Sequence, residues 1–336
     1  PTALIELLFF IKENIMTFKV AVVQPIAHKP PDDKKNIIEA IEYIKQASDQ
    51  GAEFITFPES YPGPWRMPAT YNPIEEIAEA ASNYNIYVQF GTLQPISEVD
   101  NTAHNLLVLA YPDGRKPGEY KRTHPPGPWI YTGGGYWEFQ YVPGNEFPVF
   151  DTEHGKVGLA MCSEVYVPEV SRALALRGAE IIFLPGGVDK LKLWDTWRNL
   201  IWSRSIENLA ITITTQNLFS ESETGLAMVA SPEEILFEST VAGMSVVDVD
   251  LSRIRDLRSQ NDEVLSANTN GANVLKVLDF IIFLAPLATL LIVMELRQEF
   301  LISGKDPSSM INFLINHDKL LKTYHMYNED YHLIIK

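Results

Sequence analysis

The chain of 336 residues has a single cysteine, Cys162. That excludes an intrachain disulfide and a cysteine-rich zinc or iron–sulfur site, and it fits a reducing compartment such as the cytosol. Positive charge is also scarce: 27 Lys and Arg stand against 43 Asp and Glu, for a formal net charge of -16. This balance argues against the phosphate-neutralising surface of a nucleic-acid binder and against attraction to anionic lipid. Nor is there an apolar run of about 20 residues, the length that spans a bilayer. Phe280 to Met294 comes nearest, but it contains Pro286 and is bracketed by Lys276, Asp279 and Glu295. It reads as a buried or subunit-packing helix, so a membrane span is not expected. Pro1 to Ile15 has an apolar patch but neither a basic start nor a small-residue cleavage site, so it does not read as a secretory signal. Met16 reads as a natural start.

What the chain does have is apolar residues, 46% of the total, enough for one large core or two smaller ones. From Phe18 onward they fall in alternating strand and helix patterns, which imply an α/β layer structure. Phe18 to Gln24 is a β-rich run. Asp32 to Gln50 places Ile37, Ile38, Ile41 and Ile44 on one helical face, with acidic residues in the first turn and Gly51 as the stop. A short strand at Phe54 to Phe57 ends in Pro58 and Glu59. Ile74, Ile77, Ala78, Ala81 and Tyr84 mark another helix, and strands follow at Ile86 to Leu93 and Asn105 to Tyr111. Asp113 and Gly114 read as a turn into a strand near Gly118 to Thr123. Pro125 to Gly144 has the composition of a long ordered loop, of the kind that often walls a binding site.

A strand from Lys156 to Met161 leads into Cys162, and Pro168 opens a helix that Gly178 ends. A strand at Ile181 to Leu184, a Trp-rich helix from Lys192 to Glu207 and four further strands complete the series. The regularity is lost after about Val264.

Cys162 is where a strand gives way to a turn and helix, an address suited to a nucleophile. A helix N-terminus there favours a thiolate. Glu59 and Lys121 also lie at strand ends, and a sheet brings such ends to one edge. A thiol needs a base, a group to hold the negative charge that develops on the substrate, and a proton for the leaving group. Glu, Lys and Cys supply all three. No His/Asp/Glu cluster has metal-ligand spacing, so neither a metal nor another cofactor is expected.

Four motifs, in this order, resemble the nitrilase superfamily of carbon–nitrogen hydrolases from about Phe18 to Asp262. They are Phe57 to Glu59, Tyr120 to His124, Cys162 to Glu169, and Arg204 to Asn208. The resemblance implies a four-layer α-β-β-α sandwich of the nitrilase type over 17-264. Residues 1-16 would be an N-terminal extension and 265-336 an atypical C-terminal extension with its apolar helix near 280-294. It further implies a homodimer or larger homo-oligomer in the cytoplasm, acting on a small-molecule amide, nitrile or carbamoyl substrate.

By the same resemblance Cys162 is the nucleophile, Glu59 the general base and later acid, and Lys121 the oxyanion group. Glu138 is the match for a second acid. At the family's lysine position, however, this sequence has Arg122, with Lys121 one step earlier. Neighbouring strand residues point to opposite faces, so only one of them can face Cys162. If the register follows the family, Arg122 replaces the lysine; if a bulge shifts it, Lys121 serves. The compact ammonium makes Lys121 the expected group. An arginine there, with the apolar C-terminal segment, would suit the alternative of a catalytically impaired binding or assembly subunit.

Glu164, Glu207, Asn208 and His124 read as structural polar groups. Among Trp65, Trp129, Tyr131, Trp137, Trp194 and Trp197, about two would touch substrate and the rest would be core.

Overall fold

The computed structural model describes residues 17–64, 66–124, 140–187 and 194–261. Glu138, Trp65, Trp129, Tyr131, Trp137 and the apolar run at 280–294 lie outside the described residues.

Two sheets make the centre of the fold. The first is built from β1 (Thr17–Gln24), β2 (Phe54–Thr56), β3 (Tyr87–Ser97), β4 (Thr102–Ala110), β5 (Gly118–Lys121), β6 (Gln140–Tyr141) and β13 (Gly243–Asp250). Its order is β13-β1-β2-β3-β4-β5, with β6 also pairing β4. The second runs β12 (Ile235–Ser239), β11 (Ala227–Ala230), β10 (Ile211–Thr214), β9 (Ile181–Phe183), β8 (Lys156–Leu159), β7 (Val149–Asp151). Each has three parallel strands, β1-β2-β3 or β8-β9-β10, continued by two antiparallel ones. The sheets face each other: the Phe54 and Phe183 rings lie 6.0 Å apart, and Ala27 N–H donates to the Leu218 carbonyl at 2.7 Å.

Helices cover the outer faces. α1 (Lys35–Asp49) buries Ile37, Ala40, Ile44 and Ala47, at helical spacing, and α2 (Ile74–Asn83) buries Ile77, Ala80 and Ala81. Both pack on one cluster with Ile55, Phe57, Val88, Phe90, Leu106 and Val108 from the first sheet. Ile44 is fully buried there, and truncating it to alanine would cost about 2–5 kcal/mol. Ile38, expected on the buried face, is 72% exposed. Asp32 and Asp33 precede α1 rather than forming its first turn, and Asp32 pairs with Lys35.

α3 (Pro168–Leu176) and α4 (Trp194–Asn208) pack against β8 and β10 of the second sheet. The result is an α-β-β-α sandwich. A further helix, α5 (Leu251–Gln260), follows β13, with Asp250 capping it through its bond from Ser252 N–H. Its few apolar residues, Leu251, Ile254 and Leu257, give it only a weak pattern in the sequence. Among the described residues, no helix is long and apolar enough to cross a membrane.

The topology sets the site. Parallel strands end on the same side, so the segments after β8, β9 and β10 emerge together, and the hydrogen bond from Glu59 N–H to the Gly186 carbonyl brings the segment after β2 to them. β4 runs antiparallel to β3 and β5 antiparallel to β4, which brings the start of β4 and the end of β5 to that edge as well.

Candidate active site

Glu59, three residues past β2, is fully buried. Its backbone N–H donates to the Gly186 carbonyl at 3.1 Å, which ties it to the loop after β9. Oε1 accepts from Arg122 Nη1 at 2.7 Å and from Asn105 Nδ2 at 2.7 Å. Oε2 takes no such bond among the described residues. Gly187 backs onto that oxygen so closely that a Cβ built there would lie 3.0 Å from it.

Cys162 opens a five-residue 3-10 turn, Cys162–Tyr166. Its φ of +52° lies in the left-handed region, which costs a non-glycine residue about 1–2 kcal/mol. Flanking bonds hold it there. Cys162 N–H donates to the Pro185 carbonyl at 2.8 Å, Met161 N–H to Glu164 Oε2 at 2.8 Å, and Glu164 N–H to the Met161 carbonyl at 3.0 Å.

The thiolate favoured by a helix N-terminus is not what this geometry produces. The turn is short, and α3 begins only at Pro168. Burial instead pushes the Cys162 thiol up to about 12, and the Glu59 carboxylate beside it adds to the rise. Arg122 and the Gly187 N–H act in the opposite direction without overcoming it. The resting sulfur therefore carries its proton, with a carboxylate next to it.

The expected oxyanion group, Lys121, is not brought to the thiol; Arg122 is. Lys121 pairs with Leu106, whose side chain packs under α1 and α2, and its charge acts on His104, two residues earlier on that face of β4. Tyr120 and Arg122 take the opposite phase and are 0% and 2% exposed. No bulge interrupts β4 and β5, so the alternation of the strand carries through to Arg122. Its N–H donates to the Asn105 carbonyl at 2.9 Å, which extends the ladder by one bond.

The guanidinium is held at three points. Nη1 meets Glu59, Nη2 donates to Ser163 Oγ at 2.6 Å, and Nε donates to the His124 carbonyl at 3.0 Å. These use three of its five N–H groups. Burial works against its charge, but the Glu59 carboxylate foremost holds the Arg122 pKa above its ordinary value.

Glu164 accepts hydrogen bonds from both sides of the site and makes the structural contacts expected of it. His124 stacks on Phe147. Arg204 Nε donates to the Val165 carbonyl at 3.0 Å and its guanidinium pairs with Glu207, so the fourth motif fastens α4 to the cysteine turn. Trp197 is 7% exposed, with its ring edge against Gly186. Three residues escaped the sequence reading, Asn105, Gly186 and Gly187, and so did the Ser163 hydroxyl as a partner of Arg122. Asn105 left a signal, since it is the polar member of an inward-facing set whose others, Leu107 and Leu109, are apolar. Among the described residues, no group of three or more His, Cys, Asp or Glu is placed to hold a metal ion.

Comparison with known proteins gives the family and the fold. The carbon-nitrogen hydrolase family profile matches residues 19–259. An N-carbamoylputrescine amidase of Solanum tuberosum is 29% identical over 212 residues, covering 56% of this chain and 68% of that protein. A deaminated glutathione amidase of Synechocystis is 26% identical over 248 residues, covering 68% and 91%. Among solved structures, an amidase from Nesterenkonia sp. superposes with a TM-score of 0.61 at 22% identity, covering 73% of this chain and 95% of that one. A variant of that amidase carries the acetamide moiety of fluoroacetamide covalently on its active-site cysteine. With the profile spanning most of its length and the sandwich in common, the chain belongs to the carbon–nitrogen hydrolase family of the nitrilase superfamily.

Proposed function

We propose that the chain hydrolyses a small amide, nitrile or carbamoyl amide through a thioester on Cys162, with Glu59 as base and then acid and Arg122 in place of the family's lysine. One observation carries this reading. The buried Glu59 carboxylate is fixed through Oε1 by Arg122 and Asn105, while Oε2 takes no other hydrogen bond among the described residues and the carboxylate lies within hydrogen-bond reach of the Cys162 thiol.

For an amide, Glu59 takes the thiol proton as sulfur attacks the carbonyl carbon, forming the S–C bond. The oxyanion is met by the Arg122 charge and its uncommitted N–H groups. Collapse breaks the C–N bond, and Glu59 returns the proton to the departing amine. Water then attacks the thioester, Glu59 takes its proton, and the C–S bond breaks to release the acid and restore the thiol. Proton transfer coupled to attack suits a thiol whose pKa burial has raised, since little free thiolate stands ready at neutral pH. The Nesterenkonia adduct, an acetamide moiety carried on an active-site cysteine, supports the nucleophilic role proposed for Cys162.

The test is ammonia release across a panel of nitriles, primary amides and carbamoyl amides, with Cys162→Ala as control. Release in the wild type and none in the control is expected; release that survives in Cys162→Ala refutes the mechanism. The reading extends to a homo-oligomer in a reducing compartment, which light scattering and fractionation would check. A second reading, a binding or assembly subunit without turnover, draws on the arginine at the lysine position. It would be favoured by Cys162 alkylation with no ammonia from any member of the panel.

A further inference from the structure

The turn that carries Cys162 and the strand end that carries Arg122 are far apart in sequence, yet one side chain joins them. Glu164 is fully buried. Its Oε1 accepts from Tyr120 O–H at 2.6 Å, Thr123 N–H at 3.0 Å, Thr123 O–H at 2.9 Å and His124 N–H at 3.0 Å. Its Oε2 accepts from Met161 N–H at 2.8 Å. Every one of these donors lies within two residues of Arg122 or next to Cys162. The carboxylate meets donors at both oxygens and bridges the two segments whose relative placement the chemistry depends on.

We infer that Glu164 is a positioning residue that sets the Arg122 guanidinium against the Cys162 sulfur. This rests on the hydrolase reading above, but the geometry it concerns exists whether or not a substrate is known. With Oε1 drawn to the Arg122 side and Oε2 to the backbone before Cys162, the carboxylate fixes the gap between cation and thiol. Arg122 does not hold that gap alone. Its Nη2 bond to Ser163 ends on a rotatable hydroxyl, and its Nε bond returns to its own segment, at His124.

A neutral amide cannot replace this carboxylate. Glutamine keeps the size, but its NH2 must face either the Met161 N–H or the four donors on the other side, and a donor facing a donor opens one half of the bridge. Aspartate keeps the charge but is one methylene too short to reach both.

The experiment uses the full-length protein with Glu164→Gln, Glu164→Asp and Tyr120→Phe, and two readouts. The first is kcat and KM on whichever amide releases ammonia. The second is the pH midpoint for alkylation of Cys162 by iodoacetamide, which needs no substrate. That midpoint reports the thiol through the charged groups facing it, Glu59 and Arg122.

In folded Glu164→Gln, kcat should fall about 100-fold, as expected for a catalytic group displaced by about 1 Å, with KM changed less than about threefold. The alkylation midpoint should move up by about half a pH unit or more as the guanidinium withdraws. Glu164→Asp should fall between Gln and wild type. A purely structural acid would lower the folded fraction but leave both readouts of the folded protein unchanged, and that result overturns the proposal. If Glu164→Gln does not fold, Tyr120→Phe, which removes the 2.6 Å bond together with the weaker Tyr120 contacts to Thr123, decides: a midpoint moved in the same direction supports the proposal, and an unmoved one refutes it. If no amide releases ammonia while the midpoint still moves, the hydrolase reading fails and the positioning role stands.

Discussion

Replacing Arg122 with methionine tests the strand register on which the site depends. The side chain is 2% exposed and its partner Glu59 is 0% exposed, with 2.7 Å between Nη1 and Oε1. Methionine removes the charge and leaves the Glu59 carboxylate buried with Asn105 as its remaining hydrogen-bond partner among the described residues. Breaking a buried ion pair by removing one member costs about 3–5 kcal/mol, because the survivor keeps its desolvation penalty. In a domain of this size that corresponds to a loss of roughly 6–20 °C in Tm. Lys121→Met, one residue away, removes a partly exposed charge and should stay within about 0.5 kcal/mol. Arg122→Lys keeps a charge near Glu59 and should recover a large part of the loss. The double variant Glu59→Gln with Arg122→Met should cost about 2 kcal/mol or more less than the sum of its singles, since it leaves no unpaired charge. Urea denaturation of the five proteins with two-state fits, beside the wild type, reads all of this. A costly Lys121→Met with a harmless Arg122→Met would refute the placement and shift the register by one.

Gly187→Ala should lower kcat about 100-fold with a stability loss of about 1–3 kcal/mol, because the new methyl would sit 3.0 Å from Glu59 Oε2 and must displace the carboxylate proposed as the base; steady-state kinetics and denaturation check it. The raised Cys162 pKa predicts a pH-dependent stability difference. Between the unfolded thiol value near 8.5 and the folded value of about 12, the unfolded chain has lost a proton that the native state keeps. Wild-type stability should therefore fall relative to Cys162→Ala by about 1.4 kcal/mol per pH unit in that window, and the two should run parallel below it. A flat difference from pH 9 to 11 in urea titrations would contradict a thiol that keeps its proton in the fold. Alkylation by a neutral haloacetamide at pH 8 should be slower for native Cys162 than for a model thiol, and labelling at the model rate would count against the same feature.

Much of the layout was legible in the chain. Ile37, Ala40 and Ile44 carry a helical period, Val20, Ala21, Val22 and Val23 mark a buried strand, and Glu59 and Cys162 stand just past strand ends. Local patterns report burial well because burial is what selects them. The choice between Lys121 and Arg122 was not legible in that way. Both are long and basic, both sit at the end of a four-residue strand, and a shift of one position exchanges their faces. What decides is the pairing of Lys121 with Leu106 across the ladder, a tertiary fact. The state of the thiol escaped for a similar reason. The motif suggests a helix N-terminus, but the turn closes as a 3-10 segment and the helix starts six residues later, at Pro168, so desolvation outweighs any dipole.

These two departures belong together. A site with a preformed thiolate would set its negative charge against the buried Glu59 carboxylate, with one guanidinium to compensate both. Keeping the proton on sulfur leaves a single anion, Glu59, facing a single cation, Arg122, and the buried ion pair is balanced. An arginine suits that resting state. Its fork can bind Glu59, Ser163 and the His124 carbonyl at once, whereas one ammonium would have to reach all three from a single atom. The same commitment limits what is left for substrate to the N–H groups not already used. On the proposed mechanism turnover then depends on whether the oxyanion can be met without releasing Glu59, which makes the spacing assigned to Glu164 the quantity on which the rate would turn.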